Sequence, residues 1–187
     1  MPRWAELWQA LYGAWRLALA DRRALHYFDL THRGTWCSFW AAAYCYPFFL
    51  LERWLELPAE NVADASLSHI FLVETIAYVI GWTAFPLAVL ALCRWLGREE
   101  HGFDFVTAYN WSIILQTALF VAIGLVALIL PDSSALALQR LGVVAALVYE
   151  WFIAFVAIGG GVWIAGLVVL LDIVLGLFIQ LTALSLY

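Results

Sequence analysis

The chain has 187 residues, of which 66% are hydrophobic and 12% charged, and its mean hydropathy is +0.90. Soluble domains carry about 25% charged residues, and one of this length has too little interior to hide so much apolar surface, so the bilayer is the expected solvent. The formal charge is −5, and all nine basic residues are arginines that form no stripe, so nucleic acid is not an expected partner.

Residues 1–34 read as an amphipathic cytoplasmic or interfacial helical region. Trp4, Trp8, Leu11, Tyr12, Trp15 and Leu19 recur at helical spacing, while Arg3, Glu6, Gln9, Arg16 and Arg23 share the remaining surface. Such a helix lies in the headgroup plane, with Trp4, Trp8 and Trp15 as its interfacial residues, or docks on the protein's own bundle. The sequence leaves both open. The stretch "RRALHYFDLTHRG" continues the mixture of aromatic and basic residues. No signal peptide is expected, because Arg3, Glu6 and Arg16 interrupt any apolar core and no cleavage site follows.

From residue 35 to 187 the chain reads as a transmembrane domain. A span needs about 20 apolar residues. Thr35–Leu51 is the shortest candidate and contains Pro47, whereas Leu67–Cys93, Phe105–Leu130 and Gly161–Leu186 are longer. Between the last two lies Ser134–Ile158, apolar except for Gln139, Arg140 and Glu150. Pro131 to Ser134 reads as a turn and helix start, and Gly159 to Gly161 as a tight break between helices. Residues 52–66 form an acidic external loop with one proline. The expected fold is therefore all-α: a polytopic integral membrane bundle of five transmembrane helices preceded by an amphipathic helix.

Arginine placement gives the orientation. With five spans and a cytoplasmic N-terminus, Arg3, Arg16, Arg22, Arg23, Arg33, Arg94 and Arg98 face inward, and Arg53 and Arg140 outward. Four spans give an equal split, with Arg94 and Arg98 outward, so the rule does not separate the two. Five are expected because the first run is long enough and Arg53 can snorkel at its end. The absence of lysine, with heavy use of Ala, Leu and Gly, points to a GC-rich bacterial coding bias. The expected location is a cell inner membrane, with the N-terminus cytoplasmic and the C-terminus periplasmic.

Charges inside the spans are the candidate functional groups. Glu74 and Arg140 each fall about two turns below the outer face, which suggests an intramembrane ion pair. Glu150 precedes Gly160 by 10 positions and Asp172 follows it by 12, so at about 1.5 Å per residue their depths differ by about 3 Å. Two carboxyls facing each other there would repel if both were ionised, so at least one is expected to be protonated, or they share a proton. Asn110 and mid-span Gln116 are placed to hydrogen-bond with them, completing a buried polar core of Glu150, Asp172, Gln116 and Asn110. The series Gly142, Ala146, Glu150 and the series Asp172, Gly176, Gln180 advance by four residues, a spacing that lets helices approach closely and turns the acids inward. The sequence leaves open whether the acids only lock the bundle or also carry protons or bind a ligand.

The remaining motifs are absent. Cys37, Cys45 and Cys93 form no CxxC, and His26, His32, His69 and His101 have no ligand spacing, so no metal and no cofactor is expected. GxSxG, HExxH, Walker A and GxGxxG do not occur, no catalytic residue is expected, and the chain does not read as an enzyme. Two functional classes remain. The first is a non-catalytic membrane scaffold or accessory protein, possible subunit of a larger assembly, whose partners are membrane lipids, other membrane proteins or a second copy of itself. The alternative is a small proton-coupled transporter or channel using Glu150 and Asp172. Carriers usually carry an internal repeat with interrupted helices, and none is visible here.

A cytoplasmic N-terminal region followed by five closely spaced apolar helices resembles the Yip1-like membrane proteins, and the likeness in topology covers residues 35–187. "YFDLT" at Tyr27–Thr31 stands where the eukaryotic members carry an Asp-Leu-Tyr-Gly-Pro pattern, which this chain lacks. "TAYNWSIILQ" at Thr107–Gln116 is similar to small uncharacterised inner-membrane proteins of alphaproteobacteria. Both resemblances imply a helical membrane fold and neither implies a site residue.

Overall fold

The computed structural model describes residues 2–56 and 67–186. Its elements are α1 (Trp4–Ala18), a 3-10 segment (Arg22–Tyr27), α2 (His32–Ser38), α3 (Trp40–Glu56), α4 (Leu67–Trp95), α5 (Glu99–Ala127), α6 (Asp132–Ala157) and α7 (Val162–Leu184), with no strand among the described residues. Four of them, α4 to α7, are long and apolar enough to cross a membrane. They correspond to the four longer spans read from the sequence. Most of the polar loop 52–66 lies outside the described residues.

The four long helices pack as a ring. α5 lies against α4 and α6, α7 closes the circuit by packing on both α6 and α4, and the principal contacts run around the circumference. Apolar residues surround each helix on most sides, as in spans that face lipid outward and neighbours inward. Acids begin two of them, Glu99 and Glu100 in α5 and Asp132 in α6, where the partial positive charge of a helix N-terminus favours them.

The ring is clasped at one end by Arg98. Its guanidinium donates to the carbonyl oxygen of Ile158 at 3.1 Å, satisfying one of the carbonyls that a helix C-terminus leaves without a partner. The following Gly159, Gly160 and Gly161 take φ of +69°, +77° and +94°, a region that L side chains avoid. A Cβ on Gly160 would also come within 3.0 Å of the Arg98 guanidinium carbon. The sequence's triple glycine is thus demanded twice, by backbone conformation and by the arginine lying across it.

Thr35–Leu51 does not form the single span expected. α2 ends at Ser38, the chain turns at Phe39, and α3 runs on to Glu56. Ser38 Oγ turns back to donate to Thr35 O at 2.7 Å, and Ala42 N donates to Phe39 O at 3.1 Å, a tightened bond that breaks the helical register. α2 and the first half of α3 run beside α5 in parallel. Thr35 meets Thr107 (Oγ1 to Oγ1, 2.8 Å), Ser38 meets Asn110, and Cys45 meets Thr117, each pair 72 positions apart. α3 is antiparallel to α4: Tyr78 Oη donates to Ala42 O at 2.7 Å, Tyr46 and Thr75 share a hydrogen bond of 2.9 Å, and Trp54 stacks on Phe71.

Of the two alternatives that the sequence left open for α1, the structure shows docking on the bundle. Its narrow face of Ala10, Gly13, Ala14 and Leu17 is buried against α5, the 3-10 segment with Phe28 and, less extensively, α6. Its wide face carries Trp4, Trp8 and Trp15 outward, the first two 77% and 66% exposed. The Tyr149 hydroxyl of α6 bridges Ala14 O at 2.7 Å and Ser112 Oγ at 2.8 Å, tying three helices together. At the N-terminus, Glu6 accepts from the Arg3 backbone N–H at 2.9 Å and from Arg33 of α2 at 3.1 Å. These contacts, the Arg3 backbone bond first, hold the Glu6 carboxyl down at about 2 from its ordinary 4.5. The described part of the N-terminal region, residues 2–34, is therefore built onto the bundle.

Gly160→Ala is expected to destabilise the protein by about 1–3 kcal/mol, the cost of a side chain held at positive φ. Thermal melting in mild detergent reads this directly. An unchanged melting temperature would show that the turn relaxes freely.

Candidate functional site

The two acids singled out in the sequence are brought together. Glu150 projects from α6 and is 3% exposed, and its carboxyl lies within hydrogen-bonding reach of Asp172 on α7. A tight glycine turn makes this possible, because it folds α7 back along α6 with the two positions at matching depth. Carboxylates carry acceptors alone, so a hydrogen bond between two carboxyls requires a proton on one of them. Each acid interacts with the other, and among the described residues no arginine or histidine acts on either. Glu150 Oε1 has no hydrogen-bond partner. Tyr109 of α5 lies close enough to feel both charges.

The other two members of the expected polar core go elsewhere. Asn110 is fully buried, 0% exposed, and its Nδ2 donates to Ser38 Oγ at 2.9 Å. Ser38 has already given its hydroxyl proton to Thr35 O, so it can only accept, and the amide must present its nitrogen. That fixes the orientation of Asn110 and leaves its Oδ1 without a donor. Gln116 faces the groove between α1, α5 and α6, beside Trp15 and Tyr149, and its Nε2 has no partner. Neither amide hydrogen-bonds to an acid. The expectation is corrected because α2, which the sequence did not reveal, supplies Asn110 with a closer partner, and because Gln116 lies on another side of α5.

The Glu74–Arg140 pair is also corrected. Glu74 is 2% exposed, and its carboxylate meets Arg53 of α3 at 3.5 Å. Arg140 stands on an exposed face of α6. The two residues do share a level in the bundle, but α4 and α6 are diagonal partners in the ring, whereas the end of α3 lies directly over α4. Trp4, Trp8 and Trp15 stand on the exposed face of α1, where an interfacial role requires them.

A cavity of about 230 Å³ adjoins the acid pair between α4, α5 and α7. Asp172 and Asn110 line it, together with Tyr78, Trp82 and Phe85 of α4 and Tyr109 of α5. The sequence reading missed this aromatic lining, although Tyr78, Trp82 and Phe85 advance by four and three residues along one face of a helix. Phe85 and Tyr109 touch, with ring centres 4.8 Å apart, and Phe105 stacks behind Tyr109. Pro86 lies on the wall as well. It has no N–H, so the carbonyl of Trp82 lacks its helical donor. Among the described residues no group of three or more His, Cys, Asp or Glu could hold a metal ion.

Replacing Asp172 separates packing from hydrogen bonding. Asp172→Asn keeps a partner for Glu150 and is expected to leave the melting temperature nearly unchanged. Asp172→Leu removes that partner and is expected to cost about 1–2 kcal/mol, the usual scale of an intramembrane hydrogen bond or slightly above it. Equal melting temperatures for both variants would show that the carboxyl contact contributes nothing to stability.

Compared with protein-family models, curated proteins and solved structures, the chain matches none of them, so its function is argued from the geometry alone.

Proposed function

We propose that the protein is a non-catalytic integral membrane scaffold or accessory protein, which presents an aromatic helix face to lipid and to partner helices. One observation carries this reading. α1 is fixed to the bundle through its small residues and through Tyr149, and the fixed helix turns Trp4, Trp8 and Trp15 outward. Tryptophan in that position suits the boundary between headgroups and acyl chains. Within this reading the Glu150–Asp172 contact is a lock between α6 and α7.

The location that goes with it is an inner membrane, with α1 and the Arg98 clasp on the cytoplasmic side. α3 is proposed as a fifth span. At 17 residues it is about 25 Å long, slightly short of a hydrocarbon core of about 30 Å. Its course supports the assignment, because it starts beside Asn110 and ends beside Glu74 and Phe71, near the start of α4. The C-terminus also lies at that end, where Leu186 O meets His69. Cysteine labelling of introduced tags in the α2 region and after residue 184 is expected to place them on opposite sides of the membrane. Labelling of both from one side would sink the five-span arrangement.

A second reading, a proton-coupled carrier or channel, is favoured by the cavity beside the acid pair. The deciding experiment is purification from native membranes in mild detergent, with wild type compared against a variant in which Trp4, Trp8 and Trp15 are all serine. The scaffold reading expects a stoichiometric partner with the wild type and its loss in the variant. A protein that runs alone and acidifies liposomes on addition of a gradient would establish the carrier instead.

A further inference from the structure

We propose that the cavity between α4, α5 and α7 is a binding site for a small primary alkylammonium ion, with the Asp172 carboxyl accepting its N–H groups and the surrounding rings enclosing its carbon chain. The inference goes beyond the scaffold reading and does not depend on it, since a bound ligand is compatible with an accessory protein as well as with a carrier.

Size sets the first limit. About 230 Å³ compares with about 30 Å³ for one water and with about 300–1,000 Å³ for pockets that take drug-sized ligands. The site suits a molecule of a few heavy atoms. Lining sets the second. Tyr78, Trp82, Phe85 and Tyr109 contribute rings from two helices, and aromatic rings attract cations through the negative charge of their faces. A bare metal ion would need a shell of oxygen or nitrogen ligands, and the described residues offer no such cluster.

Polar inventory sets the third limit, and it is the most selective. Asp172 is the carboxyl on the wall, with its sister carboxyl of Glu150 beside it and, among the described residues, no cation set against it. A neutral apolar guest would leave this group unmatched, at the usual penalty for buried polar groups. An anion would meet a carboxyl across the cavity. A primary ammonium brings three donors and one positive charge, which match the Asp172 carboxyl and the negative faces of the surrounding rings.

The test uses the full chain in mild detergent and two probes of equal length, butylammonium chloride and uncharged 1-butanol, with ionic strength held constant by sodium chloride. Calorimetric titration and thermal melting are expected to show saturable binding and a rising melting temperature with butylammonium, and neither with butanol. Asp172→Asn and, separately, Trp82→Leu are expected to weaken binding by about tenfold or more, the factor that follows from losing one charged or ring contact. The wild-type comparison needs no variant to fold, and each variant's own melting temperature without ligand reports whether it does. No saturable response to butylammonium, an equal response to butanol, or wild-type affinity in both folded variants would each overturn the proposal.

Discussion

Helix α5 is the surface on which the rest of the chain is assembled. Two ring neighbours, α2, the first half of α3 and the small face of α1 all pack on it. A helix that serves so many neighbours in a bilayer cannot rely on the hydrophobic effect between them, because lipid tails are as apolar as leucine. The holding contacts are therefore close approach and hydrogen bonds. α5 supplies both: Gly102 and Ala108 allow near contact, and Thr107, Asn110 and Ser112 bond to α2 and to Tyr149. The polar residues of α5 line up with partners that the apolar ones could not have specified.

The same constraint explains how charge is distributed. A lone ionised side chain at mid-span costs several kcal/mol, and the fold handles its acids in two ways. Glu74 reaches an arginine near the end of α3. Glu150 and Asp172, farther from any arginine, meet each other. The first arrangement resembles an ordinary surface ion pair drawn slightly inward. The second has no counter-charge among the described residues, and this is why the neighbouring cavity with its aromatic wall becomes chemically interesting.

Much of the architecture was legible in the sequence because hydrocarbon thickness sets a length. The runs beginning at Leu67, Phe105, Ser134 and Gly161 were bounded by Arg, Pro and Gly, and the helices follow them closely. The facing of Glu150 and Asp172 could be read from their distance to Gly160. What the sequence did not reveal is angular. Depth is one coordinate, and Glu74 and Arg140 share it, but which helices are neighbours around the ring is a second coordinate that no spacing encodes. The break at Phe39 was hidden for a different reason. "TWCSFWAAAY" carries no charge, and the turn is made by a serine hydroxyl bonding its own backbone, which leaves no Gly or Pro as a marker. Without α2, the partner of Asn110 could not be foreseen.

The Tyr149–Ala14 hydrogen bond has a consequence for biosynthesis. Its ends are separated by 135 positions, so α1 acquires this anchor only once α6 has been made. Its contacts with the 3-10 segment, with Arg33 of α2 and with α5 involve residues that precede α6. The Tyr149 bond is thus the last tie that α1 receives, and it closes the longest sequence separation of any hydrogen bond among the described residues, the kind of separation that slows assembly.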